Sequence, residues 1–232
     1  TSISIPSNVT EIELFAFRDC NNLETVTMGN SVIKVGVSAF QRCTNLTNVT
    51  LSNTLEEINN RAFQECYKLT DINIPNTVTT IADYAFHKCY KLENVTLPNA
   101  ITTLSSYVFD NCLVLKEIEI PESVTSINSF AFSNTALIQV KVNWTTPLAI
   151  TANVCDNVTL SNADLHVPTN TTTAYKATDV WKDFGKVLEN NQTGATTSIP
   201  DANFEQALID QNIDSDNTVN GRVLTSDISN LT

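Results

Sequence analysis

The sequence has few glycines, few histidines and few basic side chains. With only 5 Gly in 232 residues, it contains neither G-x-x-x-x-G-K-[ST] nor G-x-G-x-x-G, so the usual nucleotide-binding loops are excluded. Lys and Arg number 13 against 25 Asp and Glu, and the formal charge is −12, which argues against nucleic acid as a partner. No apolar run approaches the roughly 18 residues of a membrane span, so we expect no membrane insertion of this segment. Hydrophobic residues still make up 42% of the chain, which is enough for a sizeable core.

Phenylalanine recurs every 23 residues, and each copy carries the same frame of apolar neighbours. The phenylalanines are Phe17, Phe40, Phe63, Phe86, Phe109 and Phe132. Three residues after the first five of them stand Cys20, Cys43, Cys66, Cys89 and Cys112. An alternating pair of aliphatic residues follows, as in Asp71-Ile72-Asn73-Ile74. This period indicates a repeat architecture.

Each repeat supplies one short strand, because alternation places the aliphatic residues on one face and the residues between them on the other. A unit of this size cannot bury its own apolar face, so neighbouring units must stack and share a continuous core. The sequence therefore predicts a β-rich solenoid of 23-residue units. The frame breaks after Phe132, where a residue is missing, as expected near the end of a capped array.

The unit from Val78 to Pro98, with Ile81, Phe86 and Cys89 in fixed places, resembles the BspA-type (treponemal) leucine-rich repeat of bacterial surface proteins. The resemblance covers residues 1–143, and residues 144–190 resemble the C-terminal cap of such arrays. It implies a non-enzymatic, secreted or cell-surface recognition and adhesion module without a cofactor. Its partner would be a host or bacterial surface protein or a glycan. A passive spacer that displays another domain is the alternative.

The amino-acid composition changes after residue 190. Residues 191–200 are polar and are expected to form a linker. Residues 201–232 are acidic, are expected to be partly helical from Asp201 onward, and resemble the truncated leader of a second leucine-rich region. Asp214 to Gly221 is faintly like a calcium loop, but Val219 stands where that loop needs glycine.

The positions of the cysteines and histidines do not indicate a metal site or a catalytic site. The five cysteines occupy the same position in successive repeats, and we call such a set of equivalent residues a column. They lack C-x-x-C spacing and histidine partners, so we expect buried, reduced and unreactive thiols rather than a metal site. His87 shares a column with Arg18, Gln41, Gln64 and Asp110, and we expect it to be a solvated surface residue. No zinc or nucleophile motif is present, and no catalytic residue is predicted.

The outward-facing strand positions are the best candidates for ligand binding, since solenoids bind along extended surfaces. Uncharged Thr and Asn favour hydrogen bonding over electrostatic capture, whereas the two glutamates would attract a basic segment. An ordinary soluble sheet surface would carry the same residue types. The candidate residues are Thr25, Asn48, Asp71, Asn73, Asn94, Thr96, Glu117 and Glu119.

Overall fold

The protein is described here by a computed structural model, which covers residues 1–190, 196–198 and 222–224. Thr1–Leu188 form a compact parallel β-solenoid, which confirms the fold predicted from the repeat. In chain order the strands of this unit are β1 (Ser2–Ile5), β2 (Glu11–Ile12), β3 (Thr25–Met28), β4 (Lys34–Val35), β5 (Asn48–Thr50), β6 (Glu57–Ile58), β7 (Asp71–Asn73), β8 (Thr80–Ile81), β9 (Asn94–Thr96), β10 (Thr103–Leu104), β11 (Glu117–Ile120), β12 (Ser126–Ile127), β13 (Gln139–Val142), β14 (Asp164–Val167) and β15 (Lys186–Glu189).

The longer strands stack in parallel into one side of the solenoid, which we call the long face. The ladders β1-β3-β5, β7-β9 and β11-β13-β14-β15 follow one another along this face. Within them the register repeats the sequence period, since Thr25 pairs with Asn48 and Asp71 with Asn94. Residues of one sequence column therefore become neighbours on the surface.

The two-residue strands form a second side that the sequence analysis missed. They pair in parallel as β2-β4-β6-β8 and β10-β12. A third side consists of turns, yet it too is tied from coil to coil by backbone hydrogen bonds. For example, the N–H of Phe40 donates to the carbonyl of Ala62 at 2.8 Å. Backbone bonds thus join coils on all three sides, which leaves the side chains free to fill the interior.

A stack of phenylalanine rings runs through the core. The six repeat phenylalanines lie nearly parallel, with successive ring centroids between 5.1 and 5.9 Å apart. Phe40, Phe63, Phe86 and Phe109 are completely buried. This spacing fits the separation of stacked strands, so a single residue type in one column builds a continuous core.

The cysteine column lies beside this stack. Cys43, Cys66, Cys89 and Cys112 are buried and reduced, as predicted. Each Sγ–H donates to a phenylalanine carbonyl of the preceding coil, as from Cys66 to Phe40 at 3.2 Å. Burial raises the pKa of these thiols, that of Cys43 to about 12. The prediction was wrong for Cys20, which is exposed because no described coil packs on the outer side of the first one.

Two backbone positions in every repeat adopt positive φ, although neither carries glycine. They lie two residues before and two residues after the repeat phenylalanine, as at Tyr84 (φ 61°) and Lys88 (φ 60°) around Phe86. An L-residue in the left-handed region costs of order 1–3 kcal/mol. The stacked hydrogen bonds impose this conformation, and the low glycine content of the sequence gave no sign of it.

The end of the solenoid is closed by aromatic residues that hydrogen bond to backbone carbonyls. The Trp144 indole donates to Val124 and the Tyr175 hydroxyl to Trp144, both at 2.8 Å. The stretch from 172 to 188 includes Tyr175. It contains the helix α1 (Thr172–Lys176), a short 3-10 helix (Trp181–Asp183) and β15. No helix in the described ranges is long and apolar enough to cross a bilayer.

A second unit, which begins at Glu189, is described only in part. Its strands β16 (Thr196–Ser198) and β17 (Arg222–Leu224) pair antiparallel. β16 lies within the segment predicted to be a linker. The helix predicted from Asp201 and the calcium-like segment from Asp214 to Gly221 lie outside the described residues.

Candidate ligand-binding cleft

The ladders of the long face are interrupted at two steps, between β5 and β7 and between β9 and β11. At most steps on this face a backbone bond joins one coil to the next, as from Glu93 N–H to Thr70 (2.8 Å) and from Ile138 N–H to Lys116 (2.8 Å). Among the residues that the structure describes, the equivalent bond from Thr70 to Thr47 is not formed at the β5–β7 step. In the described part of the chain, the equivalent bond from Lys116 to Glu93 is not formed, and no ladder pairs β9 with β11. Val95 is accordingly only half-buried, whereas its equivalents in most other coils are buried. The β9–β11 step opens into a cleft, whereas Val49 at the β5–β7 step stays buried.

Proline contributes to the opening without explaining it fully. Gly29, directly after β3, donates its N–H to the Ile5 carbonyl at 2.9 Å. Pro121, directly after β11, has no N–H and cannot make the same bond to Leu97. However, β9 pairs with β7 although Pro98 follows Leu97 after β9, so a proline near the strand end is not sufficient to open the sheet.

A depression of about 760 Å³ lies at the C-terminal end of this opening. A smaller one of about 270 Å³ adjoins it between the strands. We call the two together the β9–β11 cleft. Polar side chains dominate its walls, and Val95, Leu97 and Pro121 form an apolar floor. The polar lining residues are Asn76, Asn94, Thr96, Asn99, Glu117, Glu119, Glu122, Ser123, Gln139, Lys141 and Asn143.

Four of the eight predicted binding residues meet in this cleft, namely Asn94, Thr96, Glu117 and Glu119. The other four also lie on the long face, but outside the cleft; they are Thr25, Asn48, Asp71 and Asn73. Asp71 is linked to the rim because Asn94 Nδ2 donates to its Oδ1 at 2.6 Å. This bond holds the pKa of Asp71 below its ordinary value.

The negative patch expected around Glu119 is partly neutralised. Lys141 Nζ lies 3.0 Å from Glu119 Oε1, and Asn143 Nδ2 donates to the same oxygen at 3.1 Å. Partial burial acts to raise the pKa of Glu119, but the hydrogen bonds from Asn143 and Lys141 outweigh it and lower that pKa. Glu119 is thus an oriented acceptor rather than a free charge.

The sequence analysis missed the residues in the turn after the strands. Asn recurs at positions 30, 53, 76 and 99, a period visible in the sequence, and Asn76 and Asn99 line the cleft. Ser123 lines it as well. The predicted binding residues were all alternating strand positions, so this column of turn asparagines was not among them.

A second polar cluster has the composition of a hydrolase site but not its geometry. Ser133 Oγ donates to one oxygen of Asp110, and His87 Nδ1 lies 3.0 Å from the other oxygen without the alignment of a hydrogen bond. The carboxylate therefore separates serine from histidine, so the imidazole cannot take the serine proton. Among the described residues, no group of three His, Cys, Asp or Glu could hold a metal ion.

This cluster also corrects the prediction for His87. Its side chain is only 12% exposed and that of Asp110 only 7%, so the column is not a surface column in every coil. Burial lowers the pKa of His87 below its ordinary value, against the opposing effect of the Asp110 carboxylate. The imidazole is therefore neutral at pH 7.

The sequence profile described as a BspA-type leucine-rich repeat region matches residues 1–113 and 56–177, in six copies. This chain belongs to the BspA-type leucine-rich repeat family. No curated protein matches the sequence. The family assignment agrees with the parallel coils, the 23-residue register and the phenylalanine stack described above.

Several solved bacterial leucine-rich repeat proteins are similar to this BspA-type chain. A Treponema pallidum leucine rich repeat protein is 28% identical, with 57% of this chain and 75% of that chain covered and a TM-score of 0.47. A Bacteroides ovatus leucine-rich repeat protein is 18% identical, with 83% and 70% covered and a TM-score of 0.43. The pneumococcal vaccine antigen PcpA is 17% identical, with 82% and 41% covered and a TM-score of 0.53, which shows a shared fold.

Proposed function

We propose that this chain is a non-enzymatic recognition module of a secreted or cell-surface bacterial protein, and that it binds its ligand on the long face at the β9–β11 cleft. The partner is a host or bacterial surface protein or a glycan. The cleft carries this proposal, because four of the outward-facing residues selected from sequence converge on the depression between β9 and β11. The BspA-type family assignment and the fold shared with the vaccine antigen PcpA support a secreted or cell-surface location.

The chemistry of the cleft favours recognition over catalysis. Its carboxylates and amides bond to each other, as from Asn143 to Glu119, and no nucleophile faces a base within it. Fixed donors and acceptors in an open depression suit a ligand that is held by several hydrogen bonds. Several copies at a cell surface would add avidity to a weak single contact.

The test is a binding screen of the purified chain against immobilised extracellular-matrix proteins and a glycan array. Asn94→Lys and Thr96→Lys place bulk and charge in the cleft and are expected to abolish binding. Asn48→Lys and Thr50→Lys change the same two columns outside the cleft and serve as matched controls. Circular dichroism checks that all four variants fold.

Loss of binding in the cleft variants alone supports the proposal. Undiminished binding in all four folded variants places the ligand elsewhere. If no ligand is found for the unmodified chain either, the spacer interpretation is favoured instead.

A further inference from the structure

Ser123 carries a hydroxyl whose partner is missing from the protein. In earlier coils the corresponding hydroxyls donate into the preceding turn, as from Thr54 to the Asn30 carbonyl at 2.9 Å and from Thr77 to the Leu55 carbonyl at 2.7 Å. Ser123 Oγ is buried and makes no such bond, and the residue lines the β9–β11 cleft. A buried polar atom without a partner is costly, so it is expected to have a role in binding.

The same wall presents several amides that the protein holds in place. Asn99 N–H donates to Asn76 Oδ1 at 3.0 Å, which fixes the Asn76 amide with its NH₂ group still able to donate. Each Asn amide offers a donor and an acceptor, and a hydroxyl both donates and accepts. The wall therefore matches a ligand that carries closely spaced hydroxyls.

The floor of the cleft adds the second property such a ligand needs. Val95, Leu97 and Pro121 provide a narrow apolar surface beneath the polar wall. A sugar ring combines an apolar C–H face with a rim of hydroxyls and would contact both surfaces at once. A depression of about 760 Å³ falls in the range of roughly 300–1,000 Å³ typical of small-molecule sites.

An inserted peptide strand fits the opening less well. A strand between β9 and β11 would need about 4.8 Å on each side, roughly 9.6 Å in all. Cα atoms of these two strands lie within 8 Å of each other. Glu119, one of three carboxylates that line the cleft, already pairs with Lys141 at 3.0 Å and is less available to a basic peptide side chain.

We infer that the β9–β11 cleft binds a saccharide, with its ring hydroxyls bonded to Ser123, Asn76 and Asn99 and its C–H face on Val95 and Leu97. This inference rests on the proposed recognition function and specifies the ligand class of the same site. The saccharide enters from solvent along the long face, where the cleft is open.

Saturation-transfer NMR on the whole chain tests the inference, with lactose, maltotriose, cellotriose and chitotriose as probes. At least one probe is expected to bind, and titration gives its Kd. Asn99→Ala and Ser123→Ala should each weaken that Kd by about 3- to 10-fold, the effect of one lost hydrogen bond. Alanine already occupies the Ser123 column at Ala100, so Ser123→Ala should fold.

The matched controls are Asn53→Ala and Ser31→Ala, which occupy the same two columns outside the cleft and should leave the Kd within twofold. Equal binding by all variants would overturn the assignment to this cleft. If none of the probes binds, but a protein ligand binds and is lost with Asn94→Lys, the recognition function stands and the saccharide inference fails. If neither saccharide nor protein binds, both fail.

Discussion

Replacing one phenylalanine of the core stack tests how the solenoid is stabilised. Phe63 is fully buried, with the rings of Phe40 and Phe86 at 5.3 and 5.5 Å on its two sides. Phe63→Ala loses the transfer free energy of a buried aromatic side chain and leaves a cavity, at a combined cost of about 3–5 kcal/mol. Two ring pairs are lost, each adding about 0.5–1.5 kcal/mol to simple burial, so we expect the upper part of that range.

Phe17→Ala is the matched comparison at the end of the stack. Phe17 is only half-buried and contacts one ring of the stack, that of Phe40 at 5.1 Å. Half of the burial and one ring pair give an expected cost of about 2 kcal/mol. Denaturation by urea measures the free energy of unfolding of both variants. Since repeat arrays can unfold in parts, hydrogen exchange should be followed by mass spectrometry as well.

The result that refutes this reasoning is an equal loss of stability in the two variants. It would mean that the stack does not act through contacts on both faces of each ring. A loss below about 2 kcal/mol for Phe63→Ala would show that the neighbouring coils collapse into the space. Exchange that accelerates in the coils on both sides of Phe63 supports the shared-core interpretation.

Three further predictions concern the thiols, the histidine and the backbone. Iodoacetamide at pH 8 should modify Cys20 quickly in the folded chain and Cys66 only after denaturation, as read by mass spectrometry. Burial raises the pKa of Cys66 and of the other three buried thiols, Cys43, Cys89 and Cys112. The free energy of unfolding should therefore fall as the pH rises above about 8.5, by up to ~1.4 kcal/mol per pH unit for each thiol, as measured by urea denaturation. The lowered pKa of His87 predicts stability that is present above about pH 6.5 and lost as the pH falls through its folded-state pKa; this loss should be smaller in His87→Gln. At the positive φ of Lys88, Lys88→Val should be less stable than Lys88→Gly by about 1–2 kcal/mol in urea denaturation, and equal stability would show that the position is unstrained.

The repeat period was enough to predict the coil and its long face, because a parallel stack converts sequence columns directly into surface neighbours. Thr25 pairs with Asn48 and Asp71 with Asn94, as a strict 23-residue period requires. The two-residue strands could not be predicted in the same way. They are too short to show alternation, and only the recurring apolar residue five positions before each phenylalanine marks them.

Predictions failed where one coil differs from the others in its surroundings. Cys20 has the same sequence context as Cys66, yet it lies on the uncovered side of the first coil. His87 was judged from its column, where Arg18 and Gln41 suggest a surface position. Its burial depends on Asp110 in the following coil, which Ser133 and Asn134 hold in turn. The average character of a column cannot reveal a contact between two particular members of that column in adjacent coils.

The cleft also lies where one coil differs from the others, and this difference links the fold to the proposed function. In a perfect solenoid every coil presents the same surface, so no position along the face is distinguished from another. Here Glu122 takes the place of asparagine in its column, and Ser123 lacks the hydrogen bond made by Thr77. Both changes fall at the step where β9 and β11 fail to pair. A local site arises where the period is broken, while the intact coils on either side hold its walls in position.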